Sequence, residues 1–367
     1  MKNVASKPAE ERGLTRDGVR MLVATTDGLA HARFADLPRF LAPGDLLVVN
    51  TTATLPAAVD GERGPSAVTV HFSTPLDDGT WVAELREAGP GRGRVTGARP
   101  GEQISLAGRA TLTLLRRYPE PDSDRLWIVA LHAPGETRAR EPAAHSRRPA
   151  GDRHLAGDRA AEDRDPVQDY LDRYGRPIRY SYVPKPWPLA AYQTVFSREP
   201  GSAEMPSAGR PFTERLVLDL IAAGVVIAPI TLHAGVASLE TREPPLPERF
   251  RVPAPTARLV NLTRSAGRRV VAVGTTVTRA LESVAGPDGA VSAGHGWTGL
   301  VLGEQNPAAV VTGLITGWHD PEASHLALLE AVAGQALVKA AYADADAAGY
   351  LGHEFGDSCL LLPPLPR

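Results

Sequence analysis

The chain has 367 residues, 43% of them hydrophobic, and a formal net charge of -2. That length can bury a sizeable core and suggests two domains or one with an insertion, and the near-neutral balance argues against a strongly basic nucleic-acid binder. One cysteine, Cys359, excludes an internal disulfide and a Cys-based zinc site, and no apolar run is long enough to span a bilayer.

Residues 1–13 are polar and lack the apolar stretch of a signal peptide, so the cytoplasm is the expected location. The cations are lopsided, with 4 Lys against 36 Arg, which reads as coding bias because 42 acidic residues answer them. Residues 19–23 and 29–34 flank the turn Thr26-Asp27-Gly28 and predict a hairpin. Residues 37–41 fit a short helical turn ending at Pro43-Gly44. Residues 46–49 form a continuous apolar run, as expected of a strand buried on both faces.

From residue 68 the texture changes. Short strand-like runs at 68–72, 81–85, 112–115 and 126–131 are separated by Gly, Pro and Asp clusters, which suggests a small barrel or sandwich. Residues 133–166 hold seven Arg and seven acidic residues with almost no large apolar side chain. They read as a solvated linker rather than an RNA-binding arm, because the charges cancel and no aromatic is present to stack on bases.

Helix and strand then alternate. A helix is expected over 214–223, with Thr213 as N-cap and Gly224 as its stop, followed by a strand over 225–232. A strand over 269–273 leads through Gly274-Thr275-Thr276 into a helix over 277–285. A strand over 308–316 precedes Asp320-Pro321, which opens a helix to Gly334, and 335–348 is helical too. This alternation predicts an α/β domain with a mixed, largely parallel sheet, interrupted by an inserted small β-barrel domain. The expected boundaries are 1–60 and 168–367 for the discontinuous α/β domain, 61–132 for the barrel and 133–167 for the linker.

In open α/β sheets ligands bind where strands end and loops begin. Five segments put polar residues at such places: Asn50-Thr51-Thr52, Pro206-Ser207-Ala208-Gly209, Thr231 to Gly235, Gly274-Thr275-Thr276, and Thr316 to Asp320. A Gly-Thr-Thr turn into a helix is often only a cap. Functionally, its backbone N–H groups and the positive helix end can cradle an anionic or ribose-bearing ligand. His233 and His319 stand at strand ends and suit general acid or base work, though structural caps look the same. Glu282 is expected to pair with Arg279 three residues earlier, and His325 to lie on a helix surface. Gly91-Arg92-Gly93-Arg94 lacks the ending of a phosphate loop, Ser207 is in no nucleophile elbow, and no His-x-x-x-His pair or dense acidic loop suggests a metal.

Eight segments, in order, resemble the S-adenosylmethionine:tRNA ribosyltransferase-isomerases. Leu41 to Asn50 is similar to the family's L-x-P-G-D-L-L-V-x-N, and 171–183 to the segment leading out of its inserted domain. Tyr192-Gln193-Thr194-Val195-Phe196 resembles Y-Q-T-V-Y/F, and Pro206-Ser207-Ala208-Gly209 with Phe212-Thr213 resembles P-T-A-G-L-H-F-T. Thr231-Leu232-His233-Ala234-Gly235 is similar to T-L-H-V-G, and Val273 to Glu282 to V-G-T-T-V-V-R-x-L-E. Leu314-Ile315-Thr316 with His319, Pro321 and Ser324 resembles L-I-T-N-F-H-x-P-x-S, and Gly356-Asp357 the closing G-D.

The resemblance implies a metal-free enzyme that uses S-adenosylmethionine as ribosyl donor to an aminomethyl-deazaguanine base in a tRNA anticodon, making a queuosine precursor. It implies proton transfer by His233 and His319. It places Asn50, Thr52, Ser207, Gly209, Gly274, Thr275, Thr276, Arg279 and Thr316 around the nucleoside. The chain is expected to act as a monomer away from membranes.

It also departs from the pattern. N-D-T-R-x-x-P-A-R reads Asn50-Thr51-Thr52-Ala53-Thr54-Leu55-Pro56-Ala57-Ala58, without the Asp and both Arg, and Arg210-Pro211 replaces Leu-His. The His-rich segment after T-L-H-V-G is represented by 244–250 without histidine, Gly313 and Gly317 replace Asp and Asn, Trp318 replaces Phe, and Tyr350-Leu351-Gly352-His353 stands for Y-R-F-F. Lost Arg contacts imply weaker tRNA binding. Two other readings follow: a nucleoside-using enzyme with a small-molecule acceptor, and a non-catalytic binding protein in which Trp318 and Arg210 fill the pocket.

Overall fold

A computed structural model of the chain describes residues 3–89, 93–120, 123, 125–134, 165–236, 246–319 and 325–365. The expected loop residues Gly91 and Arg92, most of the charged stretch, and Asp320, Pro321 and Ser324 lie outside the described residues.

The chain divides into two compact units, one of residues 1–55 and 177–367 and the other of residues 56–176. Residues 56–60 and 165–176, which the sequence reading gave to other segments, are part of the second unit. The first unit carries a nine-stranded mixed sheet. Its strands run in the spatial order Gly294–Thr298, Glu248–Val252, Val226–His233, Leu46–Asn50, Val270–Val273, Gly313–Gly317, Ser358–Leu362, Arg20–Thr25 and Gly28–Arg33. The four central strands from Val226–His233 to Gly313–Gly317 are mutually parallel; the pairings outside them are antiparallel except that of Ser358–Leu362 with Arg20–Thr25, which is parallel.

Side chains along a strand alternate between faces, so a strand sandwiched between two helical layers must be apolar throughout. Leu46 to Asn50 is buried at all five positions. Leu46, Val48, Val270, Ala272 and Leu314 enter one core with Val260, Val277, Leu281, Leu329 and Val338 from the helices. Leu47, Val49, Val271, Val273 and Ile315 enter the other with Phe34, Leu37, Phe212, Leu216 and Leu220.

Helix Glu214–Ala222 starts where expected: the Thr213 hydroxyl accepts the Leu216 N–H at 3.2 Å. Thr213 also donates to Asp17. Thr213→Ala is expected to lower stability by about 1 kcal/mol, read by denaturant unfolding. An unchanged midpoint would show that the cap contributes nothing.

The second unit is a closed six-stranded antiparallel barrel of Ala58–Arg63, Ser66–Pro75, Trp81–Glu87, Gln103–Leu106, Thr111–Tyr118 and Leu126–His132. Its interior is filled by side chains such as Val70, Phe72, Leu85, Leu112 and Trp127. Instead of continuing the linker, Asp165 caps helix Pro166–Tyr174 through the Val167 N–H, and its carboxylate accepts from the Trp81 indole at 2.9 Å.

Several elements are not apparent in the sequence patterns: strands Ala58–Arg63, Gln103–Leu106, Glu248–Val252, Gly294–Thr298 and Ser358–Leu362, and helix Ala254–Ser265. The strand expected over 308–316 is shorter, Gly313–Gly317, because the Glu282 carboxylate holds the backbone N–H groups of Ala309, Val310 and Val311.

Candidate functional site

The C-terminal ends of the four parallel central strands carry four of the five polar segments, at Asn50, His233, Gly274 and Thr316. Asn50 joins three of the connections. Its amide nitrogen donates to the Leu232 carbonyl at 2.9 Å and to the Thr276 hydroxyl at 3.3 Å. Its oxygen accepts from the Leu232 N–H at 3.0 Å and the Thr52 N–H at 3.1 Å. With its polar atoms so engaged, Asn50 sets the positions of the groups around it. Asn50→Ala orphans both backbone groups of a buried strand end, and we expect a loss of about 2 to 3 kcal/mol in thermal or denaturant unfolding. A change below about 0.5 kcal/mol would mean that water replaces the amide.

Thr52 is fully buried. Its hydroxyl lies 2.8 Å from both Ser202 Oγ and His233 Nδ1, and Ser202 Oγ also accepts the Ala234 N–H at 2.9 Å. Gly201 lies across the imidazole face: a Cβ there would stand 2.4 Å from His233 Nδ1, so no larger residue fits without moving the ring. Burial lowers the His233 pKa to about 4. Nearby Glu199 opposes that shift, while Arg249 and Arg251 add to it. Neutral His233 presents Nε2 with Nδ1 fixed on Thr52, an arrangement suited to proton transfer.

On the neighbouring connection, Thr316 donates to the Gly317 carbonyl at 3.1 Å, so it is placed to accept from His319 Nε2 at 3.3 Å. His319 stacks on His325 with ring centroids 4.5 Å apart and 7° between planes. Burial, reinforced by His325 and His353, pushes the His319 pKa well below the usual histidine range. His325 is thus half-buried against a site histidine rather than a surface residue.

Gly274 is the N-cap of helix Thr275–Glu282 with φ +98°, and its N–H bonds Ile315 O at 2.8 Å. A Cβ there would meet Ala208 of the Ser207–Gly209 turn at 3.4 Å. The remaining segment, Pro206-Ser207-Ala208-Gly209, therefore packs against the Gly-Thr-Thr turn. Gly209 is buried beneath Thr194, and Thr275 and Thr276 are half-buried at the helix start.

Arg279 does not face this group. It is 5% exposed and donates to the carbonyls of Leu300, Leu246 and Thr298 and to the Glu248 carboxylate. Its expected partner Glu282 instead clasps the backbone at 309–311. Trp318 is 1% exposed and packs edge-on against Tyr342 and Tyr350 in the core, and it is not among the residues that line the cleft beside the strand ends. Arg210 does line that cleft, with Ser207, Gly317 and Glu354. Ser202 and Glu199, both in contact with the Thr52–Thr231 network, were not apparent from the sequence. Among the described residues no helix is long and apolar enough by itself to cross a membrane, and no group of three or more His, Cys, Asp or Glu is placed to hold a metal.

The profile of the family described as "Queuosine biosynthesis protein" matches residues 1–361. The chain belongs to this family. It is 36% identical over 372 residues to the S-adenosylmethionine:tRNA ribosyltransferase-isomerase of Acidiphilium cryptum, covering 98% of this chain and 95% of that protein. It is 34% identical over 371 residues to the enzyme of the same name from Moorella thermoacetica, covering 98% and 96%. A crystal structure of S-adenosylmethionine tRNA ribosyltransferase from Thermotoga maritima matches 98% of this chain and 97% of its own, at 23% identity and a TM-score of 0.49. Thr51, where the family motif has Asp, is absorbed into the sheet, bonding Ile230 O at 3.0 Å and Thr231 Oγ1 at 3.1 Å.

Proposed function

We propose that this protein is a cytoplasmic S-adenosylmethionine:tRNA ribosyltransferase-isomerase acting as a monomer. The observation that carries the reading is the Thr52–His233 pair at the end of a central parallel strand, beside the Gly274-Thr275-Thr276 helix start. The ribosyl part of S-adenosylmethionine passes to an aminomethyl-deazaguanine base in tRNA and rearranges to an epoxycyclopentane, while adenine and methionine leave. A proton must leave the carbon beside the sulfonium. With Nδ1–H donating to Thr52, His233 Nε2 holds the lone pair that takes it. His319, linked to Thr316, assists the departure of adenine.

Thr275 and Thr276, with the free N–H groups of their helix start, face the nucleoside, and Ser207, Gly209 and Thr316 shape its walls. Arg279 acts by holding strand Glu248–Val252 to helix Thr275–Glu282, since its donors are engaged internally.

The test follows adenine by chromatography with S-adenosylmethionine and tRNA bearing the aminomethyl base. Release that requires this tRNA is the expected result. Release independent of tRNA would assign a small-molecule acceptor, which the missing Arg at Ala53 and Ala58 favours. Binding without release in either case would remove the reading.

A further inference from the structure

The cleft beside the strand ends contains a group that the proton-transfer scheme does not use. Glu354 lies on the loop before strand Ser358–Leu362, and its Oε2 is buried with no hydrogen-bond partner. A buried carboxylate oxygen without a partner costs free energy that a well-matched ligand can recover. Desolvation raises the Glu354 pKa to about 7, with Arg210 opposing that rise.

The same cleft is lined by two arginines, Arg16 and Arg210, and by Ser207 and Gly317 from the strand-end segments. Arg210 is 3% exposed, donates to Glu10 at 3.0 Å and to Ala191 O at 2.9 Å, and lies 5.0 Å from the centre of the Phe355 ring. Arg16 donates to Glu10 at 3.1 Å and to Gln193 O at 2.9 Å. Each guanidinium has more N–H groups than these bonds use, so both retain donor capacity. One small cleft thus offers a carboxylate for a cation and guanidinium donors for an anion. That combination matches a zwitterion better than a simple anion or a simple amine.

Resting on the transferase reading above, we propose that this cleft holds the amino-acid end of the sulfonium donor. The Glu354 carboxylate accepts from the α-ammonium, and Arg16 and Arg210 donate to the α-carboxylate. Val19, Pro211 and Phe355 line its apolar side. Glu354 is then a binding residue that fixes one end of the donor.

The test is calorimetric titration of the full chain and of its Glu354→Gln and Glu354→Met variants. The ligands are S-adenosylmethionine and its analogue with hydrogen in place of the α-ammonium. Wild type is expected to bind S-adenosylmethionine about 10- to 100-fold more tightly than the analogue, the range for a charge-assisted hydrogen bond. In both variants the ratio should collapse towards one. Removing an unpartnered buried carboxylate should leave the thermal midpoint unchanged or higher, so a folded variant is expected. A ratio that stays at the wild-type value in both folded variants overturns the proposal. An unchanged ratio with a raised KM for tRNA also overturns it, and gives the carboxylate to the aminomethyl group of the base instead. Adenine release measured on the same wild-type sample keeps the two readings apart. If no release occurs but the ratio collapses in the variants, the transferase reading fails and the cleft assignment stands. If release occurs with an unchanged ratio, the reverse holds. If wild type does not bind S-adenosylmethionine, both fail.

Discussion

His233→Ala should lower adenine release about 10²- to 10⁴-fold with little change in stability, the usual range for removing a positioned proton-transfer group. Thr52→Val should follow in the same direction with a smaller loss, because it removes the hydroxyl 2.8 Å from Nδ1 and frees the ring to turn or change tautomer. The pH profile separates this role from a merely structural one. His233 acts as a base only when neutral. Its pKa is about 4 in the folded chain, so its contribution should be flat from pH 8 to about 5 and fall away as the pH drops towards 4. A histidine with its ordinary pKa of about 6.5 would show that decline about two and a half units higher. The same shift affects stability. Below about pH 6.5 the unfolded chain binds a proton at this residue that the folded chain refuses, so stability is fully present above 6.5 and declines as the pH falls towards about 4. His233→Ala turnover within threefold of wild type would remove His233 from the chemistry.

The second large effect lies in the barrel. Glu84 is 3% exposed, accepts from Arg125 at 3.1 Å and from Arg86 at 3.2 Å, and stands 3.8 Å from His71. Desolvation works against its charge, but His71, Arg125 and Arg86 together hold its pKa below the usual carboxylate range. Glu84→Ala takes one buried carboxylate away from Arg125, itself 5% exposed, and from Arg86, and should cost about 3 kcal/mol. Hydrogen exchange in strands Trp81–Glu87 and Leu126–His132 is the suitable readout, since it reports on the barrel itself. Replacing Glu84 and Arg125 together by Met should recover part of the loss, because the buried guanidinium that relied on the Glu84 carboxylate goes with it. A single-variant cost below 1 kcal/mol would mean that water or side-chain rearrangement rescues the arginine. Because the Glu84 pKa is lowered on folding, this contribution is present above the ordinary Glu value of about 4.5 and is lost as the pH falls below it.

What could be read from the sequence was what is encoded locally. The run Leu46 to Val49 announces a strand buried on both faces, Thr213 announces a helix start, and Gly274-Thr275-Thr276 announces a strand-to-helix turn. Elements whose signal is mixed were not apparent. Ala58–Arg63 carries three charged residues because half of it faces solvent, Gln103–Leu106 is only four residues long, and Ala254–Ser265 begins among prolines that suit a loop equally well. The site shows the same division. His233 and His319 stood out because histidine at a strand end is conspicuous, whereas Ser202 meets Thr52 across 150 residues of chain and no local pattern encodes that meeting. Arg279 misled for a related reason. Its helical neighbour Glu282 is close in sequence, but both side chains are claimed by distant partners, Glu248 for the one and the backbone at 309–311 for the other.

The central strand Leu46–Asn50 is apolar on both sides, so polarity alone cannot tell it which of its residues belongs on which side. Sliding it by one residue would exchange Leu46 and Val48 with Leu47 and Val49 between two equally greasy layers. Asn50 breaks that symmetry, since its amide meets both the N–H and the carbonyl of Leu232 only in one alignment. A side chain at the edge of the candidate site therefore also acts as the ratchet pawl of the sheet, and selection for a correctly aligned fold and for a correctly built site bears on the same residue.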